Sequence, residues 1–263
     1  MVNCLAVGEK TVKEQRIKNM IRYIKSYGTV SLDELCNEFN VSKNTVRRDI
    51  NEIAATGIIK KVYGGVVAQT QGVTPYENRD SSYNEQKKAI AQEAAKYINN
   101  HDLLFIDSGT TTQYIPKFIN PELKITIITN SLSIVNEVLD NNNFEIIIIG
   151  NRLKRKTKSF VNVEDWSYFD RINISKAFLA ATGISLDKGV TNSDILEYEL
   201  KRRVVNKASK NYLLVDHSKF GKAALLTYAY VNSFNTIITD HDIPADFIRL
   251  MREKKVKLIQ TKN

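Results

Sequence analysis

A short stretch in the first seventy residues carries side chains of the kinds that contact DNA. Its polar residues are Ser42, Lys43, Asn44, Thr45, Arg47, Arg48 and Asn51. Val46, Ile50 and Ile53 recur at helical spacing and predict a buried face, with the polar set elsewhere on the helix. Basic and amide side chains bind phosphates and base edges. The pattern therefore predicts a DNA-reading helix. For an isolated pair of arginines, a solvated helix face is the alternative.

The two adjacent arginines are expected to have different partners on DNA. Neighbouring residues on a helix diverge by roughly 100°. We therefore expect one of Arg47 and Arg48 to approach a base and the other to bind a phosphate.

A second polar set follows the apolar run at residues 103–106. It consists of Asp107, Ser108, Gly109, Thr110 and Thr111, and a helix is expected after Thr112. A glycine-containing turn between a strand and a helix presents N–H groups, hydroxyls and a positive helix end, which together bind phosphate. A tight turn with a threonine cap is the alternative interpretation.

Polar or glycine residues also follow four other apolar runs. The carboxyl ends of parallel strands meet at one edge of a sheet, so these residues predict a shared pocket. The predicted pocket residues from these turns are Asn130, Gly150, Thr182, Gly183 and Lys219. Lys219 is the candidate to balance the charge of a phosphate, with a solvated loop lysine as the alternative. His217 is expected to make a structural hydrogen bond rather than to act as a base.

Two helix signals precede the DNA-reading helix, within a helix-turn-helix predicted at about 31–53. Ser31 and Glu34 form a capping box, and an apolar stripe follows them. The chain breaks at 40–41, and Ser42 is placed to cap the next helix. An earlier helix is predicted at about 13–27, ended by Gly28.

After Gly57 the pattern changes from helical to strand-like. Residues 58–62 and 66–67 are rich in β-branched residues, and Gly64-Gly65 between them predicts a tight turn. This is typical of a two-stranded wing, where Lys60 and Lys61 are placed to contact phosphate. We predict a winged helix-turn-helix domain at 1–68.

The rest of the chain predicts a linker at 69–83 and an α/β domain at 84–263. The domain begins with a predicted helix at about 84–99. Short apolar runs then recur with helical stretches between several of them, as in a buried parallel sheet. These runs span residues 103–106, 125–128, 146–149, 178–181, 212–215 and 236–239. The intervening helices are predicted at about 133–139 and 194–207.

Composition limits the class of protein. The 263 residues carry a net charge of +9, and residues 1–70 hold 11 Lys+Arg against 7 Asp+Glu. A positive chain attracts phosphate without specificity, so placement matters more than charge. No apolar run approaches the roughly 18 residues of a membrane span, and the first ten residues lack a signal-peptide layout. Two isolated cysteines and three scattered histidines predict a reduced, cytoplasmic protein without metal, cofactor or membrane partner.

The motifs resemble those of the DeoR family of bacterial repressors. The matching residues are 42–50, Gly57, 63–65, 107–111, 129–131 and 216–221, in the order that the family has them. The resemblance implies a C-terminal sensor domain like the ribose-5-phosphate isomerase and CoA-transferase folds, and a phosphorylated sugar as its effector. It also implies double-stranded operator DNA as a partner. Symmetric pairing of half-site readers predicts a homo-oligomer, either a dimer or a tetramer.

Further residues resemble the branch of that family that represses myo-inositol catabolism. They are 28–36, 41–50, 150–151, 154–157, 191–194 and 197–199. The resemblance implies 2-deoxy-5-keto-gluconate 6-phosphate as an inducer that releases the operator. Three residues depart from the family's pattern: Tyr63 replaces a usual His, and Asn151 and Asn162 replace usual glycines. Since Asn151 and Asn162 lie near the expected pocket, they leave the effector's identity less constrained than its class.

Two other functions remain open from the sequence. A sugar-phosphate isomerase or deaminase with an added DNA-binding head needs a placed acid or base. Asp107, Glu197 and Asp216 are available, but no pair has a recognisable catalytic spacing, so no catalytic residue is predicted. A structural nucleic-acid binder would leave the phosphate-type loop without a purpose.

Overall fold

The computed structural model describes two compact units, residues 1–72 and 73–263. The described residues are 13, 15–21, 23, 24, 29–55, 59–62, 64–68, 83–241 and 243–261. Of the predicted features, Gly28, the side chain of Lys60 and most of the 69–83 linker lie outside them. Within this part of the chain, no helix has both the length and the apolar character needed to cross a bilayer.

The described residues of the first unit include three helices. Helix α1 comprises the helical residues within 13–24, α2 is Leu32–Phe39 and α3 is Lys43–Ala55. Their apolar side chains meet in one core, in which Met20 of α1, Leu35 of α2 and Val46 of α3 are fully buried. The helical periodicity of the sequence is confirmed here, because the residues at that spacing are the ones that form the core.

Local capping sets the ends of α2 and α3. The Ser31 hydroxyl accepts a hydrogen bond from the Glu34 N–H at 3.1 Å, and the Glu34 carboxylate accepts one from the Ser31 N–H at 2.7 Å. The predicted capping box is thus confirmed. Asn40 ends α2 in the left-handed region with φ 47°. Ser42 then caps α3, because its hydroxyl accepts from the Thr45 N–H at 3.3 Å.

The wing is a three-stranded antiparallel sheet. Its strands are β1 (Thr29–Ser31), β2 (Ile59–Val62) and β3 (Gly65–Ala68), in the order β1-β3-β2. The predicted hairpin of β2 and β3 is confirmed. The prediction of only two strands was wrong, because β1 is three residues long and ends on the residue that caps α2.

The second unit is built on a seven-stranded sheet in which every pairing is parallel. In chain order the strands are β4 (Leu103–Ile106), β5 (Ile125–Thr129), β6 (Phe144–Ile148), β9 (Lys176–Ala180), β12 (Lys210–Leu214), β14 (Thr236–Thr239) and β15 (Lys257–Gln260). Their order along the sheet is β15-β14-β12-β9-β4-β5-β6. The predicted α/β sheet is confirmed in six of its strands, and β15 was not predicted.

Both faces of this sheet are covered, which explains the continuous apolar runs. Leu104 and Ile106 point into one hydrophobic cluster, whereas Phe105 between them belongs to the other. Adjacent residues of a strand point to opposite faces, so a strand buried on both sides has no polar alternation.

Between residues 83 and 261, where only residue 242 is not described, the second unit has four α-helices and four short 3₁₀ helices. The α-helices are α4 (Asn84–Ala95), α5 (Leu132–Val138), α6 (Ile195–Lys207) and α7 (Ala245–Glu253). The 3₁₀ helices are Thr112–Phe118, Phe169–Arg171, His217–Lys219 and Val231–Ser233. Helix α4 ends at Ala95, short of the predicted 99. The helix expected after Thr112 is present, and it is a 3₁₀ helix that contains Pro116.

Two small antiparallel sheets were not predicted. One is a hairpin of β7 (Arg152–Lys154) and β8 (Ser159–Val161). The other has the order β10-β11-β13. Its strands are β10 (Gly183–Ser185), β11 (Gly189–Asn192) and β13 (Leu226–Ala229).

The order of the large sheet reverses between β4 and β9. From β4 the chain moves outward through β5 to β6, and from β9 it moves the other way through β12 to β14 and β15. The connections that leave the carboxyl ends of β4 and β9 therefore diverge and open a crevice. Ligands of open parallel sheets bind at this kind of reversal.

Candidate functional sites: a helix surface and a cleft at the sheet reversal

The polar face of α3 presents two arginines to solvent. Arg47 and Arg48 are exposed, and neither forms a hydrogen bond or ion pair with another described residue. Ser42, Asn44 and Asn51 are exposed as well. The structure therefore brings the predicted DNA-contacting residues of α3 together on one surface, and the two guanidinium groups are available to an external partner.

Other members of the predicted set bind within the unit. The Lys43 Nζ lies 2.7 Å from the Asp33 Oδ1 on α2, and the Lys61 Nζ on β2 donates to the Asn51 Oδ1 at 2.9 Å. These contacts join α3 to the helix before it and to the wing. They are exposed, so each contributes little to stability and can exchange for a phosphate contact.

A buried carboxylate fixes the position of α3. The Arg16 guanidinium donates from Nε to Asp49 Oδ2 at 2.7 Å and from Nη2 to Oδ1 at 3.3 Å. The Asp49 side chain is only 1% exposed. The hydrogen bond to this carboxylate raises the pKa of Arg16, so the guanidinium stays charged in the neutral range. The residue that follows Arg47 and Arg48 thus anchors α3 to α1.

A polar cleft lies at the reversal between β4 and β9 and encloses about 450 Å³ of space, part of it open to solvent. Loops and α6 together supply its walls. The lining residues are Ser108, Gly109, Thr110, Thr111, Thr157, Ala180, Ala181, Thr182, Asn192, Glu197, Lys201, Leu214 and Lys219.

The predicted pocket residues divide between the wall of the cleft and the layer behind it. The structure places Ser108, Gly109, Thr110, Thr111, Thr182 and Lys219 in the wall. It does not place Asp107, Asn130, Gly150 or Gly183 there. Asn130 is buried and donates from Nδ2 to the Ser108 hydroxyl at 3.2 Å, so it supports the loop from behind.

Gly150 and Gly183 serve packing rather than the cleft. A Cβ on Gly150 would lie 2.7 Å from the Phe160 carbonyl carbon, and one on Gly183 would lie 2.4 Å from the Lys222 oxygen. The strand ends that carry them meet other backbone segments. The turn after β6 lies at the edge of the sheet, away from its reversal, which explains why Gly150 is not in the wall.

A buried ion pair joins the loop after β4 to α6, and both of its members form hydrogen bonds to β9. The Asp107 carboxylate contacts the Lys201 ammonium, and the two side chains are 1% and 4% exposed. Asp107 Oδ2 also accepts the Ala180 N–H at 3.0 Å, while Lys201 donates to the Ala180 oxygen at 3.0 Å. Burial and the nearby Asp107 charge raise the pKa of Tyr228 well above its ordinary value. Tyr228 therefore remains a neutral donor to the same oxygen.

Gly109 allows this loop to lie against β9. A Cβ at this position would lie 2.3 Å from the Ala180 Cβ, closer than carbon atoms can approach. The Thr112 hydroxyl closes the turn by donating to the backbone carbonyl oxygen of Asp107 at 2.6 Å. Because a short 3₁₀ helix follows, the loop offers hydroxyls and backbone N–H groups to a ligand, without the dipole of a long α-helix.

Lys219 approaches the cleft from the turn after β12. Its Nζ lies 3.7 Å from the buried Asp216 Oδ2, and its side chain is 16% exposed. Asp216 also caps the 3₁₀ helix that carries Lys219, through the N–H of Ser218. His217, next to it, bonds through Nδ1 to the Asp240 carboxylate at 2.5 Å, which agrees with its predicted structural role.

Seven lining residues were absent from the predicted site, and four of them are polar: Thr157, Asn192, Glu197 and Lys201. Glu197 and Lys201 are four residues apart on α6 and so share one face of the helix. That spacing was visible in the sequence, but charged residues at this interval on a helix are usually solvated. Thr157 lies in the turn between β7 and β8, and Asn192 ends β11. These strands are only three or four residues long, so no apolar run marked them in the sequence.

Comparisons with known proteins agree on one family for both units. Residues 16–72 match the DeoR-like helix-turn-helix domain, and residues 82–241 match the DeoR C-terminal sensor domain. The HTH-type transcriptional regulator IolR of Bacillus subtilis (strain 168) is 50% identical over 246 residues, covering 93% of this chain and 98% of that protein. The glycerol-3-phosphate regulon repressor of Escherichia coli (strain K12) is 29% identical over 245 residues, covering 93% and 97%.

Solved structures show more distant similarity. A D-ribose-5-phosphate isomerase in complex with phospho-erythronic acid is 18% identical, with a TM-score of 0.38, over 52% of this chain and 54% of that chain. The eIF2B beta subunit of Chaetomium thermophilum is 14% identical, with a TM-score of 0.40, over 80% and 58%. These similarities are too distant to bear on function.

Proposed function

This chain belongs to the DeoR family and is a DNA-binding transcriptional repressor, and we propose that a phosphorylated sugar bound in its cleft releases it from the operator. We further propose that the controlled operon encodes myo-inositol catabolism and that the effector is 2-deoxy-5-keto-gluconate 6-phosphate. The 50% identity to IolR and the matching motifs support this pathway. We also propose a cytoplasmic location, because a repressor must reach its operator DNA.

One observation carries the effector proposal: the polar cleft lies at the reversal of the sheet and is lined by the Ser108–Thr111 loop and Lys219. Hydroxyls and backbone N–H groups donate to phosphate oxygens, and an ammonium supplies the compensating charge. Charge-assisted hydrogen bonds of this kind are roughly twice as strong as neutral ones. A phosphate is therefore expected to contribute most of the binding free energy.

The polar set of α3 supports double-stranded operator DNA as the partner. We propose that Ser42, Lys43, Asn44, Thr45, Arg47, Arg48, Asn51, Lys60 and Lys61 contact it. Because one helix reads one half-site, we propose a homo-oligomer, either a dimer or a tetramer. Sedimentation of the full-length protein is expected to show no monomer at micromolar concentration, and a strictly monomeric protein would contradict the proposal.

The enzyme alternative has less support from the geometry. Each of its three candidate carboxylates forms a contact within the protein: Asp107 pairs with Lys201, Asp216 bonds to Ser218, and Glu197 bonds to Ser159. The matched relatives are transcriptional regulators. We therefore propose no catalytic activity. Measurable turnover of a sugar phosphate by the purified protein would contradict this proposal.

Lys219→Ala and Thr110→Val are expected to bind operator normally but to lose the response to effector. Loss of one charge-assisted hydrogen bond costs ~1.5–3 kcal/mol, so the effector's Kd should rise roughly 10- to 150-fold in Lys219→Ala. In cells each variant is a repressor that cannot be switched off. Calorimetry with 2-deoxy-5-keto-gluconate 6-phosphate and its dephosphorylated form tests the proposal.

The matched control is Lys222→Ala, which removes an exposed lysine three residues further along and outside the cleft wall. It should bind effector like the wild type. Equal affinity of the wild type for both forms of the ligand, or normal induction of Lys219→Ala, would show that the effector binds elsewhere.

A further inference from the structure

The cleft has further polar lining residues besides the loop and Lys219, and one of them is a carboxylate. Helix α6 supplies Glu197 and Lys201, and Asn192 at the end of β11 adds a third polar group. A carboxylate beside a phosphate site would repel the phosphate. Glu197 therefore does not belong to the phosphate-binding part of the cleft, and its presence in the wall requires another explanation.

The hydrogen bonds of Glu197 hold its carboxylate in place and leave acceptor capacity unused. The Ser159 hydroxyl donates to Oε1 at 2.8 Å, and the Asn192 amide donates weakly to Oε2 at 3.4 Å. The hydroxyl of Thr157, another lining residue, lies 2.6 Å from that of Ser159. Since the Ser159 proton goes to Glu197, Thr157 donates to Ser159. An ionised carboxylate accepts about four hydrogen bonds, so this one retains lone pairs for a ligand.

The side chains that bond to the Glu197 carboxylate come from two separate segments, and an ion pair ties the start of its helix to one of them. Ser159 belongs to the β7–β8 hairpin, Asn192 ends β11, and Asp194, which caps α6, forms an ion pair with Lys154 of the same hairpin. The carboxylate is thus fixed by tertiary contacts before any ligand arrives. A fixed acceptor loses little conformational freedom on binding, which favours selectivity for a ligand that donates to it.

We propose that Glu197 is the specificity-determining residue of the cleft and that it accepts hydrogen bonds from the hydroxyl groups of a polyhydroxylated monophosphate. The proposal rests on the proposed function, in which the Ser108–Thr111 loop and Lys219 bind the phosphate. Hydroxyls are donors that a carboxylate can bind, whereas a second phosphate or an unfunctionalised chain cannot donate to it. Glu197 therefore favours sugar or polyol monophosphates and disfavours bisphosphates by like-charge repulsion.

The test compares two six-carbon phosphates on the full-length protein: D-sorbitol 6-phosphate, which carries five hydroxyls, and n-hexyl phosphate, which carries none. The measured quantity is the Kd of hexyl phosphate divided by the Kd of sorbitol 6-phosphate, both from calorimetry. In the wild type, sorbitol 6-phosphate should bind at least tenfold more tightly. Glu197→Gln keeps the shape of the side chain but replaces one acceptor oxygen by a donor. It should reduce the ratio at least fivefold and leave the Kd of hexyl phosphate within twofold.

Glu199→Gln is the matched control, because Glu199 lies on the same helix, pairs with Arg202 and Arg203, and is outside the cleft wall. It should keep the wild-type ratio. Glu197→Asp is a second variant that retains the charge but shortens the side chain, and it should lower the ratio partially. A merely structural role would weaken both probes equally and leave the ratio unchanged in every variant, and that outcome would overturn the inference.

The two proposals fail in different ways. If the wild type binds both phosphates, Lys219→Ala weakens both equally and Glu197→Gln does not change their ratio, the phosphate site stands and the role of Glu197 is wrong. If neither phosphate binds the wild type at millimolar concentration, the phosphate site itself is wrong and this inference falls with it.

Discussion

Replacing Arg47 and Arg48 together with alanine is expected to abolish specific operator binding while both units stay folded. Both side chains are exposed and bonded to no other described residue, so the fold loses nothing that they hold. A lost base contact costs ~1–3 kcal/mol, and a symmetric dimer loses it in both half-sites. Two such losses correspond to roughly 30-fold to 25,000-fold weaker binding. The lost phosphate contacts should also reduce the dependence of affinity on salt.

Band-shift titrations at two salt concentrations measure both effects, using an operator selected from random DNA by the wild-type protein. Circular dichroism checks the fold. The control variant, Arg171→Ala with Arg252→Ala, removes the same charge from exposed positions of the second unit. It should bind operator like the wild type. Wild-type affinity in the double α3 variant would show that α3 is not the reading helix.

The two single variants separate base reading from phosphate binding. Loss of the base contact should weaken the operator much more than random DNA, whereas loss of the phosphate contact should weaken both equally. Arg47→Ala and Arg48→Ala are therefore expected to differ in specificity, because the two side chains diverge around the helix.

Lys201→Met is expected to destabilise the second unit by ~3–5 kcal/mol. Methionine keeps most of the volume of the lysine stem but leaves the Asp107 carboxylate, 1% exposed, without its cation. An unpaired charge at such burial costs far more than the loss of an exposed ion pair. The loop that follows Asp107 should then lose its position against β9, so effector binding should weaken as well.

Denaturant unfolding of the full-length protein, followed on the transition of the second unit, measures this change. The double variant Lys201→Met with Asp107→Asn should recover most of the loss, because asparagine keeps an acceptor for the Ala180 N–H without a charge. Lys96→Met breaks an ion pair whose lysine is 66% exposed, so it should cost less than ~1 kcal/mol. Equal losses in Lys201→Met and Lys96→Met would contradict a buried pair.

Local rules explain why the sequence predicted much of the fold. The capping box at Ser31 and the break at Asn40 depend only on neighbouring residues, so α2 and α3 were predictable. Six strands of the large sheet are short apolar runs. Both faces of five of them are covered, whereas the edge strand β6 is apolar but only partly buried. β15 escaped prediction because it is an edge strand with the sequence KLIQ, in which only two residues are apolar and partly buried.

Tertiary burial explains what the sequence did not predict. The loop at 108–111 and Lys219 follow strands, so the geometry of parallel sheets predicted their convergence. Gly150 follows a strand too, but that strand lies at the sheet edge, and nothing local indicates the strand order. Lys201 looks like any solvated lysine in the sequence. Its burial follows from the position of α6 over the reversal between β4 and β9.

The anchoring of α3 through Asp49 has a consequence for how such regulators diverge. Asp49 of this helix bonds to Arg16 of α1, while the neighbouring Arg47 and Arg48 bond to no other described residue. With α3 as the proposed reading helix, substitutions at these outward positions are expected to change the recognised operator without a compensating change in the core. A duplicated gene can thus acquire a new set of target genes in a few mutational steps, and an engineer can retarget the same sensor to a chosen promoter by rewriting that surface alone.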